Sequence, residues 1–112
     1  MFQEVDFLEA FDGLTIRFPN LKNGINDDIT LDFDKADELV YPERIHEDYQ
    51  PRIGKKSCII GTAYREHYVL IMDEDGMVYG GYDNYLVKIG DSGIDALEAI
   101  ITNRKSIEIG NR

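Results

Sequence analysis

The sequence predicts an α+β domain: a mixed or antiparallel sheet of about six strands, four of them in a C-terminal meander, flanked by helices. Three observations carry this. Apolar and polar residues alternate at residues 14–18 and 29–33, the mark of half-buried strands. Four further strand-like runs, at residues 58–64, 67–72, 77–82 and 85–89, are joined by short links rich in turn formers. Helical signals fall at both ends and once between the two groups of strands, so strands come in runs, which excludes a doubly wound sheet.

Taken in order, Phe7, Leu8 and Phe11 form one stripe with Glu4, Asp6, Glu9 and Asp12 between them, and Gly13 stands where a helix ends. This predicts an amphipathic first helix. Leu14, Thr15, Ile16, Arg17 and Phe18 form the first strand, followed by a loop marked by Pro19, Asn20, Asn23 and Gly24. Ile29 to Phe33 repeats the alternation. Asp34 and Asp37 suit the start of a short helix carrying Ala36, Leu39 and Val40, which Pro42 ends. Residues 43–54 show no strong periodicity, and both helix and loop remain open there. The links of the second half are Arg65-Glu66, Asp73-Glu74-Asp75-Gly76 and Asp83-Asn84, and Gly80-Gly81 reads as a bulge or bend. Ser92 caps a last helix with Asp95 at its third position, Ile94, Leu97, Ile100 and Ile101 as its apolar stripe, and Arg104 and Lys105 at its negative end. The whole is one domain over residues 1–112, with its core in 5–102 and a tail at 103–112, without repeats or linkers.

Composition narrows the function classes. The hydrophobic fraction of 43% and the seven Tyr and five Phe suit a folded chain and exclude a disordered one. No apolar run reaches the ~18–20 residues of a membrane span, and carboxylates at Glu4 and Asp6 stand where a signal peptide carries basic groups, so a cytoplasmic protein is expected. The lone Cys58, beside Ile59 and Ile60, reads as a small buried hydrophobe in a reducing compartment. The net charge is −10, and residues 1–50 hold thirteen Asp/Glu against four Lys/Arg while residues 51–112 hold nine against eight. Such a field repels nucleic acid and anionic lipid and attracts basic proteins; solubility alone is its plainer explanation.

No residue pattern supports catalysis, a cofactor or a metal. Asp73-Glu74-Asp75-Gly76 begins like a calcium loop, but Met77 and Asn84 fall where an oxygen ligand and a bidentate Glu are required, and a hairpin turn is expected instead. His46 and His67 have no partner at zinc-site spacing. Cys58 sits in apolar surroundings that raise a thiol pKa, and no glycine-rich loop opens a helix after a strand. With twenty-two Asp/Glu, paired carboxylates are unavoidable and carry no signal for a glycosidase.

The order of motifs does carry a signal. Ile60-Gly61-Thr62-Ala63-Tyr64 is followed by Val69-Leu70-Ile71-Met72-Asp73, then Asp75-Gly76-Met77-Val78-Tyr79, then Ile89-Gly90-Asp91-Ser92 and Ala96-Leu97-Glu98-Ala99-Ile100-Ile101. Together with Phe7-Leu8-Glu9-Ala10-Phe11-Asp12-Gly13-Leu14, this resembles the third subgroup of the SUKH superfamily of bacterial toxin-immunity proteins across residues 5–102. The family's further N-terminal helical region, with its G-W-x-x-x-R segment, has no counterpart, as in a short member or an N-terminally shortened form. The resemblance implies a SUKH-like fold and a stoichiometric, non-enzymatic inhibitor of a cognate polymorphic toxin, often a nuclease or deaminase. The other function classes are a SUKH-like adaptor of a cellular protein and, third, a small hydrolase.

Charge density places the expected partner-binding surface at Asp27, Asp28, Asp32, Asp34, Glu38, Glu43, Glu47 and Asp48, with Tyr41 and Tyr49 as aromatic anchors. The partner expected there is a basic, nuclease-like toxin domain, with no nucleic acid or membrane bound and the protein itself a monomer or weak homodimer. The rival surface is the open face of the meander, where Tyr64, Tyr68, Tyr79, Tyr82 and Tyr85 cluster, although sheet packing explains tyrosines equally well.

Overall fold

The computed structural model describes residues 13–19, 26–32, 44–64, 67–82, 85–102 and 104–109. The predicted helices of residues 4–12 and 34–40 lie outside them. Seven strands, β1 (Leu14–Pro19), β2 (Asn26–Leu31), β3 (Ser57–Ala63), β4 (Tyr68–Asp73), β5 (Val78–Tyr82), β6 (Tyr85–Gly90) and β7 (Ile107–Glu108), make one sheet in chain order. Each pairs antiparallel with the next, so the predicted meander extends over all seven strands, and no parallel pairing occurs among the described residues. The seventh strand comes from the segment read as a tail. Ile107 pairs with Lys88 and Glu108 with Val87, a two-residue ladder too short to leave a periodic signal in sequence.

Strand alternation sorts the side chains onto two apolar faces. Phe18, Ile29, Leu31, Ile60, Ala63, Leu70, Met72, Val78, Val87 and Ile89 form one core with the last helix. Tyr49, Ile59, Val69, Ile71, Tyr79 and Leu86 form the other. The central strands are buried on both sides, which explains why Val69 to Met72 reads as a continuous apolar run. Each fully buried Ile, Leu or Val contributes about 1.5–3 kcal/mol.

The helix covering the first face is α2 (Gly93–Ile101). Ser92 Oγ accepts from Asp95 N–H at 3.1 Å, and the Asp95 carboxylate reaches back to Asp91 N–H at 2.9 Å, a reciprocal capping arrangement read correctly from sequence. The predicted stripe needs one correction, because Ile94 is 57% exposed. Ala96 and Ala99 stand in its place beside Leu97 and Ile100. The cause is close approach: a Cβ on Gly90 would lie 2.6 Å from the Ala96 nitrogen, so helix and strand meet where both are small.

The stretch that sequence left open is a π-helical turn (Arg44–Tyr49) running into α1 (Gln50–Ile53), which Gly54 ends at φ 80°. Tyr49 is buried in the second core at 1% exposure, so it serves the interior and not, as charge density suggested, an exposed anchor. Its ring lies against Gly81, where a Cβ would approach Tyr49 carbons at 2.6 Å. On the opposite face a Cβ on Gly80 would meet Tyr68 at 2.8 Å and Ile89 at 2.9 Å. The glycine pair is therefore neither bulge nor bend but a ring seat on each face. The register shift of β5 falls earlier, between Val78 and Tyr79.

The turn between β4 and β5 is organised by Asp73, whose side chain is fully buried. Its Oδ1 accepts from Asp75 N–H at 2.9 Å and Met77 N–H at 3.1 Å, and its Oδ2 accepts from the Tyr79 hydroxyl at 2.9 Å. Gly76, at φ 91°, supplies the left-handed residue the turn requires. Lys55 pairs with Asp75, and Glu74 N–H donates to Lys56 carbonyl at 3.0 Å, tying the turn to the segment before β3.

Two outcomes are expected. Tyr79→Phe removes a hydrogen bond to a charged group and should cost about 1.5–3 kcal/mol in denaturant unfolding. Burial and then the bond to Asp73 push the Tyr79 phenol well above the usual tyrosine range, so it stays neutral in the folded state where an unfolded tyrosine ionises. Its stabilisation is complete below pH ~10 and lost as pH rises beyond that, so the wild type should weaken more steeply there than Tyr79→Phe, and parallel curves would discount the bond. Gly81→Ala should destabilise by about 1–3 kcal/mol through overpacking, and by clearly less in a Tyr49→Ala background, as a double-mutant cycle measures.

Candidate protein-binding surfaces

The acidic residues singled out in sequence do not form one patch among the described residues. Asp27 shares the face of Ile29 and Leu31 on β2, and its charge acts on Tyr64; Asp28 alternates to the other face, in register with Arg17. Asp32 follows the end of β2 and is half-buried. Glu47 is exposed on the π-helical turn, next to Asp48, which Arg52 holds at 2.8 Å while also donating to the Ile109 carbonyl. The turn packs on the Tyr49 face, so Glu47 and Asp48 lie across the sheet from Asp27. Asp34, Glu38, Tyr41 and Glu43 lie outside the described residues.

The tyrosines converge instead. Tyr79 belongs to the opposite core, but Tyr64, Tyr68, Tyr82 and Tyr85 gather at one end of the α2 face. Tyr68 meets Tyr64 edge-on at 5.5 Å and Tyr85 edge-on at 6.5 Å, and lies parallel to Tyr82 at 6.4 Å. His67, which has no partner at zinc-site spacing, stacks on Tyr82 at 4.1 Å and on Tyr68 at 5.8 Å. Sequence could have pointed to it, since the turn between β3 and β4 brings it beside Tyr68 and the ladder from β4 to β5 continues to Tyr82. Packing explains part of the cluster, yet Tyr82 and Tyr85 remain 44% and 40% exposed side by side at its edge.

Local backbone builds this arrangement. Tyr64 takes a left-handed conformation at φ 57°, uncommon for an aromatic residue, with its N–H donating to Asp28 carbonyl at 2.9 Å and its carbonyl accepting from His67 N–H at 3.1 Å. Gly80 gives the Tyr68 ring room to lie over β5. Burial, before any neighbour, raises the Tyr64 and Tyr68 phenols, which keeps both hydroxyls as donors through the physiological range.

From this cluster a cleft of about 640 Å³ runs between the sheet and the end of α2. Tyr64, Tyr68 and Tyr85 line one part, Val87, Ile89 and Ile100 its floor, and Arg104 and Lys105 its far rim. Such a surface suits binding: an aromatic and aliphatic floor with donors and a charge at the edge. No group of His, Cys, Asp and Glu placed to hold a metal occurs among the described residues, and no described helix is long and apolar enough to cross a membrane.

Comparison with known proteins agrees with the motif order. A family model described as SUKH-3 immunity protein matches residues 1–103. No curated protein and no solved structure matches the chain. The described part of that match contains the turn held by Asp73, the close approach of Gly90 to Ala96 and the capped α2, so described residues that carry the resemblance help set the fold. The chain belongs to the SUKH-3 immunity protein family, whose members are inhibitors and not enzymes.

Proposed function

We propose that this protein protects a bacterial cytosol by binding, one to one and as a monomer, the basic domain of a cognate polymorphic toxin that acts on nucleic acid as a nuclease or deaminase. Family membership supports the immunity role and a toxin as partner. The observation that carries the finer assignment is the charge: −10 overall, with thirteen of the acidic groups in the first fifty residues. A toxin that grips phosphates needs a basic cleft, and an acidic inhibitor is steered to it, with on-rates that rise as salt falls. Asp28 and Glu47, with Asp34, Glu38 and Glu43 from the same half of the sequence, supply this attraction, while Asp48 chiefly braces Arg52. Inhibition requires no chemistry, because occupying the toxin's site is sufficient.

The test is titration calorimetry at two ionic strengths against the toxin domain encoded beside this protein, together with that domain's activity. Tight one-to-one binding that abolishes activity and loses about tenfold or more between low and physiological salt is expected. The Glu43→Lys, Glu47→Lys double variant should bind more weakly and with a flatter salt dependence. Salt-independent inhibition would remove the steering role, and no binding would favour an adaptor of some other cellular protein.

A further inference from the structure

The geometry points to the cleft between the tyrosine cluster and the end of α2 as an anchor site for a toxin segment that carries an apolar side chain next to a carboxylate. Shape and charge together select that occupant. The floor of Val87, Ile89 and Ile100 and the rings of Tyr68 and Tyr85 give an apolar seat, large enough at about 640 Å³ for an aromatic or branched side chain and its neighbours. The charged residues lining it are both cations, in a protein whose net charge is −10. Arg104 is satisfied by Asp95 at 2.9 Å, with a second bond to the Asp95 carbonyl, so it fixes the rim in place. Lys105 is exposed and has no partner among the described residues, leaving its ammonium for an incoming anion. Tyr64 and Tyr68 offer neutral hydroxyl donors at the other end.

This local reversal of sign gives the protein two distinct handles. The acidic half attracts the toxin's basic surface at long range, whereas the Lys105 end of the cleft favours an anionic element. The pair of opposite charges therefore sets the orientation in which the partner docks. Half-buried tyrosines such as Tyr64 and Tyr68, ringed by polar groups, are also a residue type on which interfaces concentrate their energy. The occupant is a toxin segment only if the chain is the inhibitor proposed above, but the preference for an apolar carboxylate belongs to the cleft itself and can be measured alone.

Two arms test it. In the first, N-acetyl-phenylalanine, its neutral amide and phenethylamine are titrated separately into the isotope-labelled protein and followed by NMR. The carboxylate should shift the amides of residues 85–89 and 104–106 and the ring signals of Tyr68 and Tyr85, the amide should bind several-fold more weakly, and the amine should not bind. Lys105→Glu, at an exposed position with no partner among the described residues, should leave the spectrum folded and abolish the preference for the acid. Equal shifts from acid and amide, or shifts elsewhere, would overturn the site, as would a dimer that sediments at rising concentration and dissociates on Tyr85→Ala, which would make a second copy the occupant. In the second arm, Lys105→Glu and Tyr85→Ala should each weaken binding of the toxin domain by about tenfold or more. Wild-type binding with both variants unchanged would reject the anchor while leaving the immunity role intact; a wild type that fails to bind would reject the role, with the fragment titration still deciding the cleft.

Discussion

The sheet depends on one buried carboxylate. Asp73 has no exposed surface and sits at the turn between the two strands at the heart of the meander, where an unpaired charge would cost several kcal/mol. Two backbone N–H groups and the Tyr79 hydroxyl satisfy it, and these bonds close the turn in one way only. Register follows from that closure. A slip of one residue would exchange the faces of β5, sending Val78 toward the Tyr49 face and Tyr79 toward α2. The same turn reaches Lys55 and Lys56, so the segment leading into β3 is fixed by it as well.

Correct register is what makes the glycine pair useful. Gly80 and Gly81 point to opposite faces, and each takes an aromatic ring where any side chain would collide. Under Gly81, Tyr49 pins the π-helical turn and α1 to the sheet. Over Gly80, Tyr68 becomes the centre of the exposed tyrosine group. One device, a missing Cβ, thus seats a buried anchor on one face and the centre of the tyrosine cluster on the other. The left-handed Tyr64 belongs with it, since a strained residue held by backbone bonds to Asp28 and His67 is found where position matters more than local stability.

Charge is arranged on a different plan from shape. Long-range attraction depends on the sum of charges and tolerates their dispersal over both faces, as with Asp27 and Glu47. Short-range selection depends on a few groups at fixed distances, as at the rim of the cleft beside α2, where Asp95 is itself held below the usual carboxylate range by the Asp91 N–H and then by Arg104. An inhibitor gains from having both, because encounter rate and docking orientation are separate requirements.

Much of this was legible in the sequence, and the limits are physical. Period-two alternation, the Asp-Gly turn and the Ser92 cap are local signals, and each produced the element expected, although β2 spans Asn26–Leu31 where alternation placed residues 29–33. Motif order pointed to the family, and several of the motif residues, Asp73, Gly76 and Gly90 among them, set the backbone geometry of this chain. Residues 43–54 show no clear signal because the helical form of residues 44–53 is stabilised by Tyr49 packing on strands distant in sequence and not by their own periodicity. β7 was invisible because two residues become a strand only when β6 offers a ladder. Tyr49 looked like a surface anchor because its neighbours are acidic, and charge along the chain does not reveal which side of a turn meets the core. His67, Tyr82 and Tyr85 are separated by turns that composition reads as solvated, and only pairing of β4, β5 and β6 brings them together around Tyr68. Sequence by itself determined the class of fold, the family and the sign of the field; the tertiary structure alone decided which aromatic side chains are interior and which form a surface, since that depends on contacts between strands far apart in the chain.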